Sequence, residues 1–297
     1  MTSRAPFVAF GWMASGAACF SVMNVFVKVA SEGIHFTVVG TVRAFTGALV
    51  AYVAARLTGA SLVVRDRRAM WLRSVFGTVA MLATFAALAA PALPVGDAVT
   101  LFNLSPVFIA LLSPWVLGER SGRRLSVSVA CCLLGALCIL RPTFLFPSAS
   151  FVPGAPAALA IVAALSSAGA MLMLRRVRGE SSFAVAFHFS CVAGGVMALL
   201  ALRYVLRGPW PTWSTAAAML LAGLSAGLGQ LCMTRAYSLD HAARVAAYGY
   251  LSVAGSALVA FLVRGERLDA LSVLGMVAVT VGGLVASLTA KPATSAT

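Results

Sequence analysis

The chain has 297 residues, of which 61% are hydrophobic and 10% charged, and its formal net charge is +14 at pH 7. An ordinary soluble domain carries roughly 25% charged residues, so this composition cannot clothe a water-soluble surface and excludes a soluble enzyme or binding module. The basic residues form no stripe of the kind that binds nucleic acid; they stand in short segments between long apolar runs, so a lipid bilayer is the expected partner and nucleic acid is not.

In chain order the apolar runs fall at 7–27, 34–57, 72–90, 95–117, 125–140, 155–174, 183–202, 215–234, 245–263 and 270–290. Most are close to the 20 or so residues that span a bilayer as a helix. They are rich in Ala, Leu, Val and Gly without period-two alternation, which favours helices over barrel strands. The first run follows Arg4 as a secretion signal would, but its length and its end at Lys28 suit a retained span. Pro91 and Pro94 end the third run, and Pro142, Pro147, Pro153 and Pro156 mark a break between the fifth and the sixth. The acidic residues Glu32, Asp66, Asp97, Glu119, Glu180, Asp240, Glu266 and Asp269 nearly all lie between runs. Trp71, Trp115, Trp210 and Trp213 stand at run ends, where an indole rests in the headgroup layer.

Basic residues set the expected orientation. With the N-terminus inside, fifteen of the 22 Lys and Arg residues fall on the cytoplasmic side (Arg73, Arg175 and Arg244 among them), six on the other side, and Arg43 lies within a span. Both termini are therefore expected in the cytoplasm, of a multi-pass protein in the plasma membrane, in a bacterium the inner membrane.

The fourth run ends in Leu117-Gly118-Glu119-Arg120 and the ninth in Arg264-Gly265-Glu266-Arg267, an offset of 147 residues. The same gap-free shift carries Gly135 onto Gly282, Ser105 onto Ser252 and Lys28 onto Arg175. Landmarks in three parts of each half thus align, which marks a duplication. The expected organisation is a first repeat over 1–141, a linker over 142–154, a second repeat over 155–290 and a short polar tail over 291–297. Five spans per repeat is an odd number, so the second copy enters the membrane upside down. The expected fold is all-α and integral to the membrane, with ten transmembrane helices as two inverted five-helix repeats. Such a pair lets a central site open to one side and then the other, which implies transport.

These features carry a resemblance. Ser21-Val22-Met23-Asn24 leading to Lys28, Arg43, Leu93-Pro94-Val95-Gly96-Asp97-Ala98, Asn103-Leu104-Ser105-Pro106, the Leu-Gly-Glu-Arg ending at Arg120, and Gly135 followed by Arg141-Pro142 together resemble the EamA branch of the drug/metabolite transporter superfamily. The resemblance covers almost the whole chain. It implies a ten-helix carrier with a central cavity lined by helices one, three, four, six, eight and nine. Members export amino acids and other metabolites, and some import riboflavin or S-adenosylmethionine; the segment from Arg73 through Glu119 resembles the importing members somewhat more. His241 and Arg244 stand where the first half has Pro94 and Asp97, so the ninth helix departs from the pattern.

Several residues could do the work of a carrier. Arg43 lies well inside its run, where a charge costs about 3 kcal/mol even on the lenient insertion scale, so it must face protein or water. It either binds a substrate carboxylate or phosphate, or ties helices together through carbonyls or Asp97. Asp97 is either a coupling group or a helix cap. Trp12, Phe20 and Asn24 share a face of the first helix, Asn103 stands on the fourth, and Tyr248 and Ser252 share a face of the ninth. Phe85, Gln230 and Tyr237 add aromatic and amide groups on helices three and eight. As a set they suggest a mostly apolar pocket for a small organic metabolite such as an amino acid, a nucleoside or a flavin-like compound. Gly135, Gly282 and Gly283 offer a close approach of the fifth and tenth helices, as a scaffold or as a homodimer contact.

Neither a metal nor a cofactor is expected. Six cysteines lie in apolar segments with no CxxC pair and no histidine at zinc spacing. No Walker A sequence occurs, which argues against direct ATP use. A polytopic membrane enzyme would need a nucleophile with its base or paired acids at one depth, and the widely spaced His35, His188 and His241 offer neither. A sensor or accessory subunit that keeps the fold without transporting is the other alternative.

Overall fold

The computed structural model describes residues 5–88, 101–119, 122–140, 145, 154–264 and 270–288. Among them every regular element is an α-helix: α1 (Ala5–Ser31), α2 (Phe36–Thr58), α3 (Arg67–Leu88), α4 (Ser105–Leu117), α5 (Arg123–Leu140), α6 (Ala155–Arg176), α7 (Ser182–Arg207), α8 (Trp213–Leu239), α9 (Ala242–Gly249), α10 (Leu251–Arg264) and α11 (Ala270–Leu288). Eight candidate spans among the described residues are long and apolar enough to cross a bilayer, one of them running through α9 and α10. The apolar helices Ser105–Leu117 and Ala270–Ala286 are shorter. Lipid offers no hydrogen bonds to the backbone, so a chain of this composition must satisfy its peptide groups within each segment, and helices do so.

Local chemistry sets the helix ends. α2 starts where the His35 ring nitrogen accepts from the Thr37 amide, and stops at Gly59, whose φ of 66° only glycine adopts without strain. There the Ala60 amide donates to the Ala55 carbonyl at 2.9 Å, which closes the last turn. α8 starts at Thr212, whose hydroxyl accepts from the Thr215 amide.

The helices pair in a regular way. α1 packs along α8 and α3 along α6, while α2 packs along α7 and α5 along α11. Shifting by 147 residues exchanges α1 with α6 and α3 with α8, so the first two pairs are counterparts of each other. The same shift carries α2 onto α7 and α5 onto α11, so each of these helices packs on its own counterpart. Single contacts repeat the pattern: the Cys132 thiol faces the Val279 carbonyl and the Cys131 thiol the Ala278 carbonyl, both at a separation of 147. Gly135 and Gly282 allow the close approach of α5 and α11 within one chain. A Cβ on Gly135 would lie 2.7 Å from the Gly275 carbonyl oxygen, and one on Gly282 would lie 2.6 Å from the Cys132 sulfur.

The ninth apolar run, expected as one continuous helix, is broken at Tyr250. The Tyr250 amide donates to Ala247 and the Val253 amide to Tyr250, each three residues back, so the chain tightens between α9 and α10. The corresponding place in the first half also turns, at Asn103 and Leu104, just before α4. Pro106 explains that turn, because it brings no N–H and disfavours a helix before it. The two breaks meet: the Tyr250 hydroxyl donates to the Asn103 carbonyl at 2.7 Å.

Candidate functional site

Arg43 stands two turns, about 11 Å, into α2. Its Nε lies 3.1 Å from the Met23 sulfur on α1 and its Nη1 lies 3.0 Å from the Met81 sulfur on α3. A thioether is a weak acceptor and carries no charge. None of the ion pairs seen among the described residues includes Arg43, and Asp97, the acid suggested as its partner, lies outside those residues. Among the described residues the guanidinium is thus anchored by two neutral sulfurs, with no carboxylate paired to it. Beside it is a cavity of about 20 Å³ lined by Gly47, Met81, Phe189, Ser190, Ala226 and Gln230, among others. That space suits about one water molecule, so the cavity in this conformation is closed to a metabolite.

The other candidate residues divide into groups. Gln230 shares the Arg43 cavity and donates to Thr234 at 3.3 Å. Phe85 stands a turn beyond Met81 on α3 and packs with Met81 and Phe189 in one apolar cluster. Asn24 is exposed to solvent-accessible space and donates to Ser256 at 3.1 Å, joining α1 to α10. Ser252 caps back onto the Gly249 carbonyl, and its own carbonyl accepts from Ser21. Phe20 packs against Gly229. Trp12 is 42% exposed, away from Arg43's immediate contacts. Asn103 contributes its backbone carbonyl at the meeting of the two breaks. Tyr237 and Tyr248 are buried in the largest apolar core, the Tyr248 ring edge-on to Phe10 and its hydroxyl 3.5 Å from Asp240.

A second polar cluster gathers the ends of four helices. Glu119 follows α4 and takes the Arg175 Nε at 2.7 Å, with the His241 Nδ1 3.4 Å away. Its other oxygen accepts from the Ala242 amide at 2.8 Å, at the first turn of α9, where backbone donors are free. Arg175 also donates to the carbonyls of Tyr237 and Ser238 at the end of α8. Burial opposes ionisation of Glu119, but hydrogen bonds from His241, Arg175 and the Ala242 amide outweigh it and hold the carboxyl down at about 2. Nearby, Arg244 pairs with Asp240 at 2.5 Å, both buried. Arg175 and Arg244 look like loop charges in the sequence, yet both are tied into ion pairs, part-buried for Arg175 and buried for Arg244. Arg73 departs further: it is 1% exposed within α3 and does not belong to a loop. Met81 and Phe189 carry no signal in sequence, since an apolar residue inside a span reads as packing until its neighbours are known.

The chain matches the model of the EamA-like transporter family over residues 8–141 and again over 155–288. It belongs to that family. Its curated relatives include the pseudopaline exporter CntI of Pseudomonas aeruginosa, from strains UCBPP-PA14 and PAO1. Each is 31% identical over 274 residues, which cover 92% of this chain and 93% of the relative. A solved crystal structure, 18% identical, superposes with a TM-score of 0.77 over 97% of this chain and 99% of that one, and shows that the fold is shared. This EamA-like chain is therefore an integral membrane protein of a transporter family, and its two matched stretches are the two repeats.

Proposed function

We propose that this chain is a secondary carrier that moves a small organic metabolite bearing an anionic group, by alternating access between two inverted five-helix repeats with ten spans in all. The observation that carries the reading is Arg43: a guanidinium inside a helix bundle, oriented by two thioethers and paired with no carboxylate among the described residues. An amino acid is the simplest solute that fits, its carboxylate pairing with Arg43 and its remainder resting on Phe85, Phe189 and the Gln230 amide. Export is the favoured direction, because the relatives that match nearly the full chain are named as exporters.

The paired packing supports the inversion. Two copies facing each other across a two-fold axis bring residue i of one to j of the other and the reverse. Gly135 meets Gly275 while their counterparts, Gly282 and Ser128, meet in turn. The cluster around Glu119 then acts as a latch at one end of the bundle, cytoplasmic by the distribution of basic residues. Its counterparts by the same shift are Glu266 and Lys28, which would latch the opposite end when the first opens. Alternation between such latches moves the Arg43 site from one side to the other.

The test begins with purified protein in detergent and a panel of amino acids, nucleosides, flavins and S-adenosylmethionine, read as a rise in Tm. A carboxylate-bearing compound should stabilise wild type, and Arg43→Gln should abolish the rise while keeping the folded yield. A rise that survives Arg43→Gln would remove Arg43 from the site.

A further inference from the structure

Arg73, Gly77 and Met81 stand one turn apart on one face of α3. Arg73 is buried, its Nε and Nη1 have no hydrogen-bond partner among the described residues, and its guanidinium lies 4.0 Å above the Phe189 ring. The side chain runs along the helix towards Met81: a Cβ on Gly77 would lie 2.6 Å from Arg73 Nη1 and 2.7 Å from the Phe189 ring. Gly77 is the clearance that lets the guanidinium lie there. Met81, a turn or about 6 Å further along, holds Arg43 Nη1, and Phe189 also lines the Arg43 cavity. The hydroxyl of Thr78, next to Gly77, is buried and unpartnered as well.

Two guanidiniums, neither in any ion pair seen among the described residues, are therefore linked through one phenyl ring: Arg73 lies over Phe189, and Phe189 lines the cavity beside Arg43. Arg73 is shut away from water with no anion beside it among the described residues, and an unpaired buried charge is costly. A cation–π contact compensates Arg73 only in part. A singly charged anion at Arg43 would leave Arg73 as it is, whereas a second anionic group would accept from the unpartnered N–H groups of Arg73. We propose that Arg43 and Arg73 form a two-point site for a dianionic solute, with the Phe189 ring as the partition that turns aside when the second anionic group reaches Arg73.

This rests on the carrier reading of Arg43 and narrows its substrate class from an anion to a dianion. It is tested with matched probes that differ by one charge: glutarate against glutaramate, and succinate against succinamate, titrated against purified wild type and followed by Tm. Wild type should bind the dianion of each pair at least about tenfold more tightly. Arg73→Gln should erase that preference while leaving the monoanion's effect in place, and Arg43→Gln should weaken both. If Arg73→Gln fails to fold, Gly77→Ala displaces the guanidinium without removing it and should reduce the preference in the same way. Equal binding of both members of a pair by wild type, or a preference that survives in the altered proteins, overturns the two-point site and leaves Arg43 untouched. Wild type that responds to none of the four probes overturns it together with the reading on which it rests.

Discussion

Replacing Glu119 with glutamine removes the charge at the centre of the latch and keeps its shape. The carboxyl is held at about 2 against an ordinary value of 4.5, and each factor of ten in proton affinity is worth about 1.4 kcal/mol. The ionised form thus contributes about 3 kcal/mol, within the range expected when a buried ion pair loses one partner. Arg175 keeps its two carbonyl partners in the variant, at 3.2 and 3.1 Å, so the loss should not exceed that figure. At roughly 2–4 °C per kcal/mol, Glu119→Gln should lower the Tm in detergent at pH 7 by about 6–12 °C. The sign of the pH dependence follows from a carboxyl whose pKa is depressed by folding. Its contribution is complete above about 4.5 and is lost as the pH falls towards about 2. The Tm difference between wild type and Glu119→Gln should therefore close over that interval, other carboxyls titrating alike in both proteins. Equal Tm values at pH 7, or a gap that persists unchanged at the acid end, would refute the role given to Glu119.

Tyr250→Phe removes the hydroxyl that donates to the Asn103 carbonyl where the two helix breaks meet, and should cost about 1 kcal/mol, read as a lower Tm with folded yield retained. Gly135→Ala places a methyl group 2.7 Å from the Gly275 carbonyl oxygen and should cost about 1–3 kcal/mol through overpacking of α5 on α11. A Tm within a degree of wild type would show that this seam is loose. Arg43→Lys keeps the charge but loses the planar fork; it should fold as wild type does and bind carboxylates more weakly in a ligand titration.

Apolar runs and a repeated Leu-Gly-Glu-type ending are local properties, so the helical membrane class and the duplication could be read from sequence. Arg43 could be singled out because a charge inside an apolar run has no cheap explanation. What surrounds it could not, since Met23, Met81 and Phe189 become partners only when α1, α3 and α7 converge. Arg73 reads as a loop charge because it stands at the edge of its apolar run, whereas α3 begins at Arg67 and carries Arg73 into the bundle. The break at Tyr250 has no proline to announce it. It reflects a bond to the opposite half of the chain, 147 residues away.

Flux measured across a membrane tests the carrier most directly. The protein would be reconstituted in liposomes loaded with a radiolabelled form of whichever compound stabilises it in detergent, and release would be followed for wild type and Arg43→Gln. The expected result is saturable release through wild type, inhibited by unlabelled compound and lost in Arg43→Gln. A compound that binds wild type tightly and never crosses would contradict transport and make this chain a sensor built on a carrier's fold.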